Sequence, residues 1–265
     1  MPDNVQKRVK KLISDFYSKS NDLAYANLIE GKYAGWVSDF HISLKNNNEK
    51  ISLNLKNEKD IFLLFVLASA WSRTDKWENA PFLVTYIKLK CKDNIEYWKN
   101  KDNIKHEKEN RKENAKQIKK DTTGIEPPKK ISFRKDIFDS INILAEKWSD
   151  IYKNLKESAS EENYIGFMKF IKNIKGLGCG KNRMFIKIPL ILRELRCQKI
   201  FNNIPGELCC VCDARVIKAC REIGINIPKK DNSINYLVDF SKKIYSYFSD
   251  LYDIPLFAYE DICKE

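Results

Sequence analysis

The chain has 265 residues and a mass of 31.1 kDa, enough for one large domain or two small ones with a sizeable core. Hydrophobic residues make up 43% of it and aromatic residues 12%, which excludes a wholly disordered chain. The 48 lysines and arginines outnumber the 36 acidic residues, and the formal net charge of +12 favours a polyanionic partner. Nucleic acid is the commonest such partner and an anionic membrane surface a rarer one, although any lysine-rich soluble protein would share this composition.

The sequence begins without the apolar stretch of a secretory signal peptide. Its longest apolar run, residues 61–70, is too short to cross a bilayer and predicts a buried helix. We therefore expect a cytoplasmic, nucleoid-associated protein. In that reducing compartment its eight cysteines would remain free thiols.

Residues 1–98 predict a helical lobe that contains a β-hairpin. Apolar residues recur with helical spacing from Val5 to Phe16. Between residues 40 and 55 the spacing changes to alternation on both sides of an asparagine-rich turn, which is typical of a hairpin. Further helices are expected over about 60–71 and 77–89.

Residues 99–135 contain eleven lysines and two arginines against six acidic residues, and almost nothing apolar. Pro127 and Pro128 would stop any helix that reached them. We expect a solvated, flexible insertion with at most a frayed helix over 107–120. It would either attract phosphates or serve as a soluble spacer.

Residues 136–265 predict a second helical lobe, because apolar stripes recur at 137–155, 164–174 and 237–251. The fold class is therefore mainly α, with the small hairpin in the first lobe. The two lobes could be separate or could form one cleft.

A glycine-containing turn, with Gly176, Gly178 and Gly180, lies between two predicted helices. Glycines let the backbone turn sharply and let a phosphate approach its amides. Seven basic residues and one acidic residue lie between Lys175 and Lys199, which suits sequence-independent binding of a DNA backbone. A plain helical turn also explains the glycines. The order of residues required for a phosphate-binding P-loop is absent.

Two segments of the chain resemble the helix-hairpin-helix DNA glycosylases. They are Gly180-Lys181-Asn182-Arg183-Met184-Phe185-Ile186-Lys187-Ile188 and Cys212-Asp213-Ala214-Arg215-Val216. The archaeal 8-oxoguanine branch is the most similar, since Lys181 and Asp213 are 32 positions apart. Ile204-Pro205 precedes the second segment, and weaker similarity covers 62–87 and 247–260. The predicted hairpin and the basic segment have no counterpart in that family.

The resemblance implies a helix-hairpin-helix fold and a DNA repair N-glycosylase with AP lyase activity, which excises 8-oxoguanine through a lysine Schiff base. It assigns Lys181 as the nucleophile and Asp213 as the stabiliser of charge. The implied substrate-binding residues are Trp77, Gly176, Gly178, Gly180, Arg183 and Arg215. No metal or organic cofactor is implied. The expected partner is double-stranded DNA that contains an oxidised base, bound by a monomer.

The residue types suit this chemistry. A lysine amine attacks the anomeric carbon only when neutral, and burial or neighbouring cations such as Arg183 and Lys187 lower a lysine pKa. A carboxylate stabilises the positive charge that develops on the sugar. Asp213 precedes a predicted helix over 214–223, however, and a capping role alone would explain an aspartate there.

Trp77 is the candidate for stacking on a flipped base, although a core tryptophan is an equal reading. The chain departs from the family near its C-terminus, where a second aromatic residue is not evident. Glu260 or Asp261 could instead supply the carboxylate that contacts the base. Pro189 predicts a kink in the helix after Lys181. These departures concern the choice of base more than the reaction.

Cys209, Cys210 and Cys212 are too closely spaced for the iron–sulfur cluster that some relatives hold, so buried thiols are expected there. Two other functions stay open. A non-catalytic helix-hairpin-helix DNA-binding module would form no Schiff base with DNA. An RNA-binding or architectural protein would bind through residues 99–135.

Overall fold

The computed structural model describes residues 2–23, 26, 28–29, 32–33, 35, 37–72, 79–90, 94–124, 133–157, 161–177, 184–201, 204–229, 231 and 233–263. The helices are α1 Pro2–Lys19, α2 Glu58–Trp71, α3 Asn79–Lys90, α4 Ile95–Lys99, α5 Lys101–Asp121, α6 Lys135–Glu146, α7 Trp148–Glu157, α8 Glu161–Asn173, α9 Ile188–Cys197, α10 Ala214–Ile223, α11 Ile234–Phe248, α12 Ile254–Phe257 and α13 Tyr259–Cys263. The strands are β1 Leu28–Ile29, β2 Lys32–Tyr33, β3 Ile42–Leu44, β4 Lys50–Ile51 and β5 Thr122–Gly124. The mainly α fold is confirmed. Within the described ranges, no helix has the length and apolar character needed to span a membrane.

The chain forms two compact units. Unit 1 comprises Met1–Trp36, Ser158–Gly166 and Ile188–Glu265, and unit 2 comprises Val37–Glu157 and Phe167–Lys187. This division differs from the predicted lobes at 1–98 and 136–265, because the N-terminal helix belongs with the C-terminal helices. Hydrophobic spacing identifies helices but does not show which of them pack together.

The core of unit 1 is built from the buried residues of α1, α9, α10 and α11. Val9, Leu12 and Phe16 are buried along the face of α1 that the sequence predicted. The helix predicted over 214–223 is confirmed as α10, and Gly224 ends it with a φ of 86°. An aspartate before the helix and a glycine after it are local signals, so the sequence was sufficient to place both ends.

The core of unit 2 is built around α2, whose residues from Asp60 to Ala70 are all buried. Helices α3 and α6 pack against it. The long stripe predicted over 137–155 is two helices, since Lys147 interrupts it between α6 and α7. Trp148, the first residue of α7, meets the rings of Phe62 and Phe65 edge-on.

The predicted hairpin is confirmed, although its strands are short: β3 and β4 pair antiparallel, with Ile42 opposite Ile51. The other edge of β3 pairs antiparallel with β5, which the sequence did not predict. Gly124, in β5, has a φ of 114°, and a Cβ there would lie 1.8 Å from the carbonyl oxygen of His41. Only glycine allows this close approach.

The described part of the basic segment is a packed helix, in contrast to the flexible insertion that its composition suggested. Residues 101–121 form α5, which packs against α3 and α6. Ile104, Ala115 and Ile118 are buried along one narrow face. On the same face the buried Glu107 carboxylate accepts hydrogen bonds from two tyrosine hydroxyls and an asparagine amide. The sparse apolar residues were therefore enough to fix the helix, because they share one face. Pro127 and Pro128 lie outside the described residues.

Candidate active site

The glycine-containing turn starts where α8 ends. Gly176 has a φ of 92°, and its carbonyl oxygen accepts a hydrogen bond of 3.2 Å from the Ser140 hydroxyl. The amide of Met184 donates to the carbonyl of Leu177 at 3.0 Å, so the two described ends of this turn lie side by side. Gly178, Gly180, Lys181 and Arg183 all belong to the six positions between those ends, which lie outside the described residues.

Replacing Gly176 by alanine should lower the free energy of unfolding by about 1–2 kcal/mol, because an L-residue is strained at positive φ. The new Cβ would also lie 2.4 Å from Cδ1 of Ile143, which must move. Urea denaturation measures the change. Gly166→Ala is the matched control, since a Cβ there meets nothing within 4 Å; it should stabilise α8 by about 0.5–1 kcal/mol. Equal effects of the two substitutions would contradict the strain at Gly176.

After the turn, residues Met184–Lys187 form a 3-10 helix that leads directly into α9. Pro189 therefore lies in the first turn of α9, where a missing N–H leaves no helical hydrogen bond unmade. The prediction of a helix kinked at Pro189 is wrong, because a separate short helix precedes α9.

Lys187 lies in that 3-10 helix and is buried, with 8% of its surface exposed. Its Nζ is 4.1 Å from the centre of the Trp71 ring, at the end of α2, in a cation–π contact. Trp77, which the sequence selected for base stacking, lies outside the described residues. The structure instead places Trp71 beside this segment. Because Trp71 lies in an apolar helix, the sequence did not indicate its contact with Lys187.

Asp213 caps α10. Its backbone is extended, with φ −101° and ψ 175°, and its Oδ1 accepts a hydrogen bond of 3.0 Å from the amide of Val216. The side chain is half-buried. Both oxygens of a carboxylate carry two lone pairs, so one hydrogen bond to the helix is compatible with a second role.

The coil that leads to Asp213 is held by buried side chains. The amide of Cys210 donates to Ser241 Oγ, and that of Val211 donates to Asp253 Oδ1, both at 2.9 Å. Asp253 Oδ1 also accepts from Arg193 Nη1 at 2.8 Å, and both side chains are almost fully buried. Burial raises the pKa of the Asp253 carboxyl, although the Arg193 guanidinium acts in the opposite direction. This ion pair fixes the backbone just before Asp213.

Arg215 also lies on α10. Its guanidinium donates to Asp261 and lies 4.6 Å from the ring centre of Phe257. Three positions further along the helix, Lys218 donates to Glu260 at 2.6 Å. The two carboxylates that the sequence offered as base contacts are thus paired with cations of α10. Phe257 is an aromatic residue near the C-terminus that was not recognised as a candidate from the sequence.

None of the buried cysteines that the structure describes in unit 1 is in a disulfide bond; they are Cys197, Cys209, Cys210, Cys212 and Cys220. Burial raises the pKa of both Cys209 and Cys220 to about 12, which keeps these thiols protonated at neutral pH. Among the described residues, no group of three or more His, Cys, Asp or Glu side chains could hold a metal ion.

Of the eight predicted site residues, the structure places Gly176 at the turn and Asp213 and Arg215 at the start of α10. It does not bring Lys181 and Asp213 together, since Lys181 lies outside the described residues, as do Trp77, Gly178, Gly180 and Arg183. No protein-family model, curated protein or solved structure matches the chain.

Proposed function

We propose that this protein is a DNA repair N-glycosylase of the helix-hairpin-helix type with AP lyase activity, and that it excises 8-oxoguanine from double-stranded DNA. The observation that carries the proposal is the setting of Asp213. It follows an anchored coil, caps α10 and is half-buried. Such a carboxylate has a fixed position without being fully desolvated, which suits a group that must stay ionised beside a developing cation.

In the proposed reaction, the neutral amine of Lys181 attacks the anomeric carbon of the damaged nucleotide. The bond from that carbon to the base breaks, and the base leaves with one proton of the amine. The new carbon–nitrogen bond becomes a Schiff base as the sugar ring opens and its oxygen takes the second proton. Asp213 stabilises the positive charge on the sugar while the base departs. β-Elimination from the Schiff base then cleaves the strand on the 3′ side.

A panel of duplexes, each with one damaged base, tests the proposal. Base release followed by strand cleavage should be fastest on 8-oxoguanine and should be accompanied by a covalent protein–DNA adduct after borohydride reduction. A non-catalytic DNA-binding module would bind the same duplexes without base release or adduct. An RNA-binding protein would prefer RNA and leave every duplex intact.

Asp213→Asn should reduce base excision at least about 100-fold, because the amide cannot stabilise charge as a carboxylate does. It should change the free energy of unfolding by less than about 1 kcal/mol, since asparagine also caps helices well. Single-turnover kinetics and urea denaturation measure the two quantities. Asp213→Ala is the companion variant and should lose the cap as well, at a cost of about 1 kcal/mol. Excision by Asp213→Asn at the wild-type rate would leave Asp213 with the cap alone.

A further inference from the structure

Helix α5 carries a line of six lysines along one side; four of them are exposed, and Lys108 and Lys119 are half-buried. They occur at positions i, i+4, i+7, i+11, i+15 and i+18, which keeps them within roughly 80° of one another around a helix of 3.6 residues per turn. We call this line the lysine stripe; it consists of Lys101, Lys105, Lys108, Lys112, Lys116 and Lys119. At a rise of 1.5 Å per residue, it is about 27 Å long.

Most of the stripe is not neutralised by the protein itself. Lys108 pairs with Asp139, and Lys116 pairs with Glu113 on the exposed surface of the same helix. The other four lysines of the stripe make no ion pair with any residue that the structure describes. Like charges three or four positions apart on a helix repel each other. A polyanion laid along the stripe would relieve that repulsion.

The basic surface continues past the end of α5. A depression of about 390 Å³ lies beside its last turn, with Lys45, Lys90 and Lys120 in its lining. Lys90 lies in α3, Lys120 in α5 and Lys45 in the turn after β3, and none of the three has an ion-pair partner among the described residues. The lining also includes Asp121, whose carboxylate accepts a hydrogen bond of 2.8 Å from Gln117.

The chemistry of α5 decides among the polyanions. A helix that lies on a membrane needs a free apolar face, whereas Ile104, Ala115 and Ile118 are buried within unit 2. Single-stranded nucleic acid is held by aromatic side chains that stack on bases, and the stripe contains lysines only. A straight row of point charges fits the regular phosphates of a duplex, which carries one negative charge per about 1.7 Å of its axis.

We infer that the lysine stripe of α5 is a docking surface for the phosphate backbone of duplex DNA, outside the residues assigned to the reaction. The choice of DNA rests on the proposed function, whereas the polyanionic character of the ligand rests on the stripe alone. Contacts of this kind position a duplex without reading its sequence. The stripe would therefore bind damaged and undamaged DNA equally.

The test compares two variants of the full chain with the same change in charge. The stripe variant replaces the four unpaired lysines by glutamine: Lys101→Gln, Lys105→Gln, Lys112→Gln and Lys119→Gln. The control variant changes four exposed, unpaired lysines elsewhere: Lys7→Gln, Lys56→Gln, Lys153→Gln and Lys229→Gln. Glutamine and lysine have similar helix propensities, and circular dichroism verifies that α5 is kept. A third variant keeps the charge and tests whether charge alone is required: Lys101→Arg, Lys105→Arg, Lys112→Arg and Lys119→Arg.

Fluorescence anisotropy measures binding of an undamaged duplex across a salt series. For the stripe variant, the plot of log K against log salt should be shallower by about three to four, since each lost phosphate contact removes about 0.9 from the slope. Its affinity at low salt should fall at least about tenfold, and the third variant, with four Lys→Arg changes, should bind like wild type. The control variant should change the slope by less than about one.

Equal slopes for the stripe and control variants would overturn the inference, as would an absence of duplex binding by the wild type. So would loss of binding to vesicles that contain phosphatidylserine while duplex binding is unchanged. The proposed function is judged separately, by base excision at saturating protein. A stripe variant that binds weakly, together with a wild type that binds duplexes but never excises a base, would support the stripe and refute the glycosylase.

Discussion

Lys181→Gln should abolish both base release and strand cleavage on duplexes with 8-oxoguanine, while its affinity for DNA stays within a few-fold of wild type. An amide nitrogen cannot form an imine, so the covalent pathway is closed, but the side chain can still donate hydrogen bonds to a phosphate. The substitution lies in the six-residue segment between Leu177 and Met184, whose described ends are joined by a backbone hydrogen bond. The fold should therefore tolerate it. Single-turnover excision and equilibrium binding measure the two quantities.

Lys169→Gln is the matched control, because Lys169 is exposed on α8 in unit 2 and is assigned no part in the reaction. It should excise the base at the wild-type rate. If Lys181→Gln retains excision and borohydride trapping, another residue is the nucleophile. If both variants lose activity equally, the loss comes from reduced positive charge and not from the missing amine.

Arg193→Met should lower the free energy of unfolding by about 3–5 kcal/mol, because it leaves the Asp253 carboxylate buried without its cation. Asp253 also accepts the hydrogen bond from the amide of Val211, so the damage should extend to the coil before Asp213. Burial already raises the pKa of Asp253, and loss of Arg193 should raise it further. Urea denaturation, followed by the helical circular dichroism signal, measures the loss of stability.

The exposed ion pair between Lys116 and Glu113 provides the control. Lys116→Met should change the free energy of unfolding by less than about 1 kcal/mol, because water already solvates both charges. Excision by any folded fraction of Arg193→Met should also be slow, since the coil that positions Asp213 would no longer be held in place. An Arg193→Met variant as stable as Lys116→Met would show that the buried pair does not hold this part of unit 1.

Helix ends were predicted correctly where residues next to the helix mark them. Asp213 and Gly224 define α10 from either end, and both signals lie within a residue of the helix. The break at Lys147 was not predictable, since Leu144, Trp148 and Ile151 continue one apolar stripe through it. Helix α5 was predicted only as a frayed helix over 107–120, because its charge dominates any average over the segment. Its few buried residues become informative only when they are placed on one face.

The site shows the same limit. The capping role of Asp213 could be expected from its position before a helix. The pair of Arg193 with Asp253 could not, because the partners are 60 positions apart and only packing brings them together. The contact of Lys187 with Trp71 likewise joins distant segments. Contacts between residues far apart in sequence can be identified only from the fold, whereas caps and turns can be predicted from the local sequence.

The central claim is that Lys181 forms a Schiff base with DNA. Its most direct test is borohydride reduction of the wild-type protein on a duplex with one 8-oxoguanine, followed by proteolysis and mass spectrometric mapping of the adduct. We expect one modified peptide, with the deoxyribose remnant on Lys181. A reduced adduct on any other lysine, or base release with no adduct at all, would contradict the assignment.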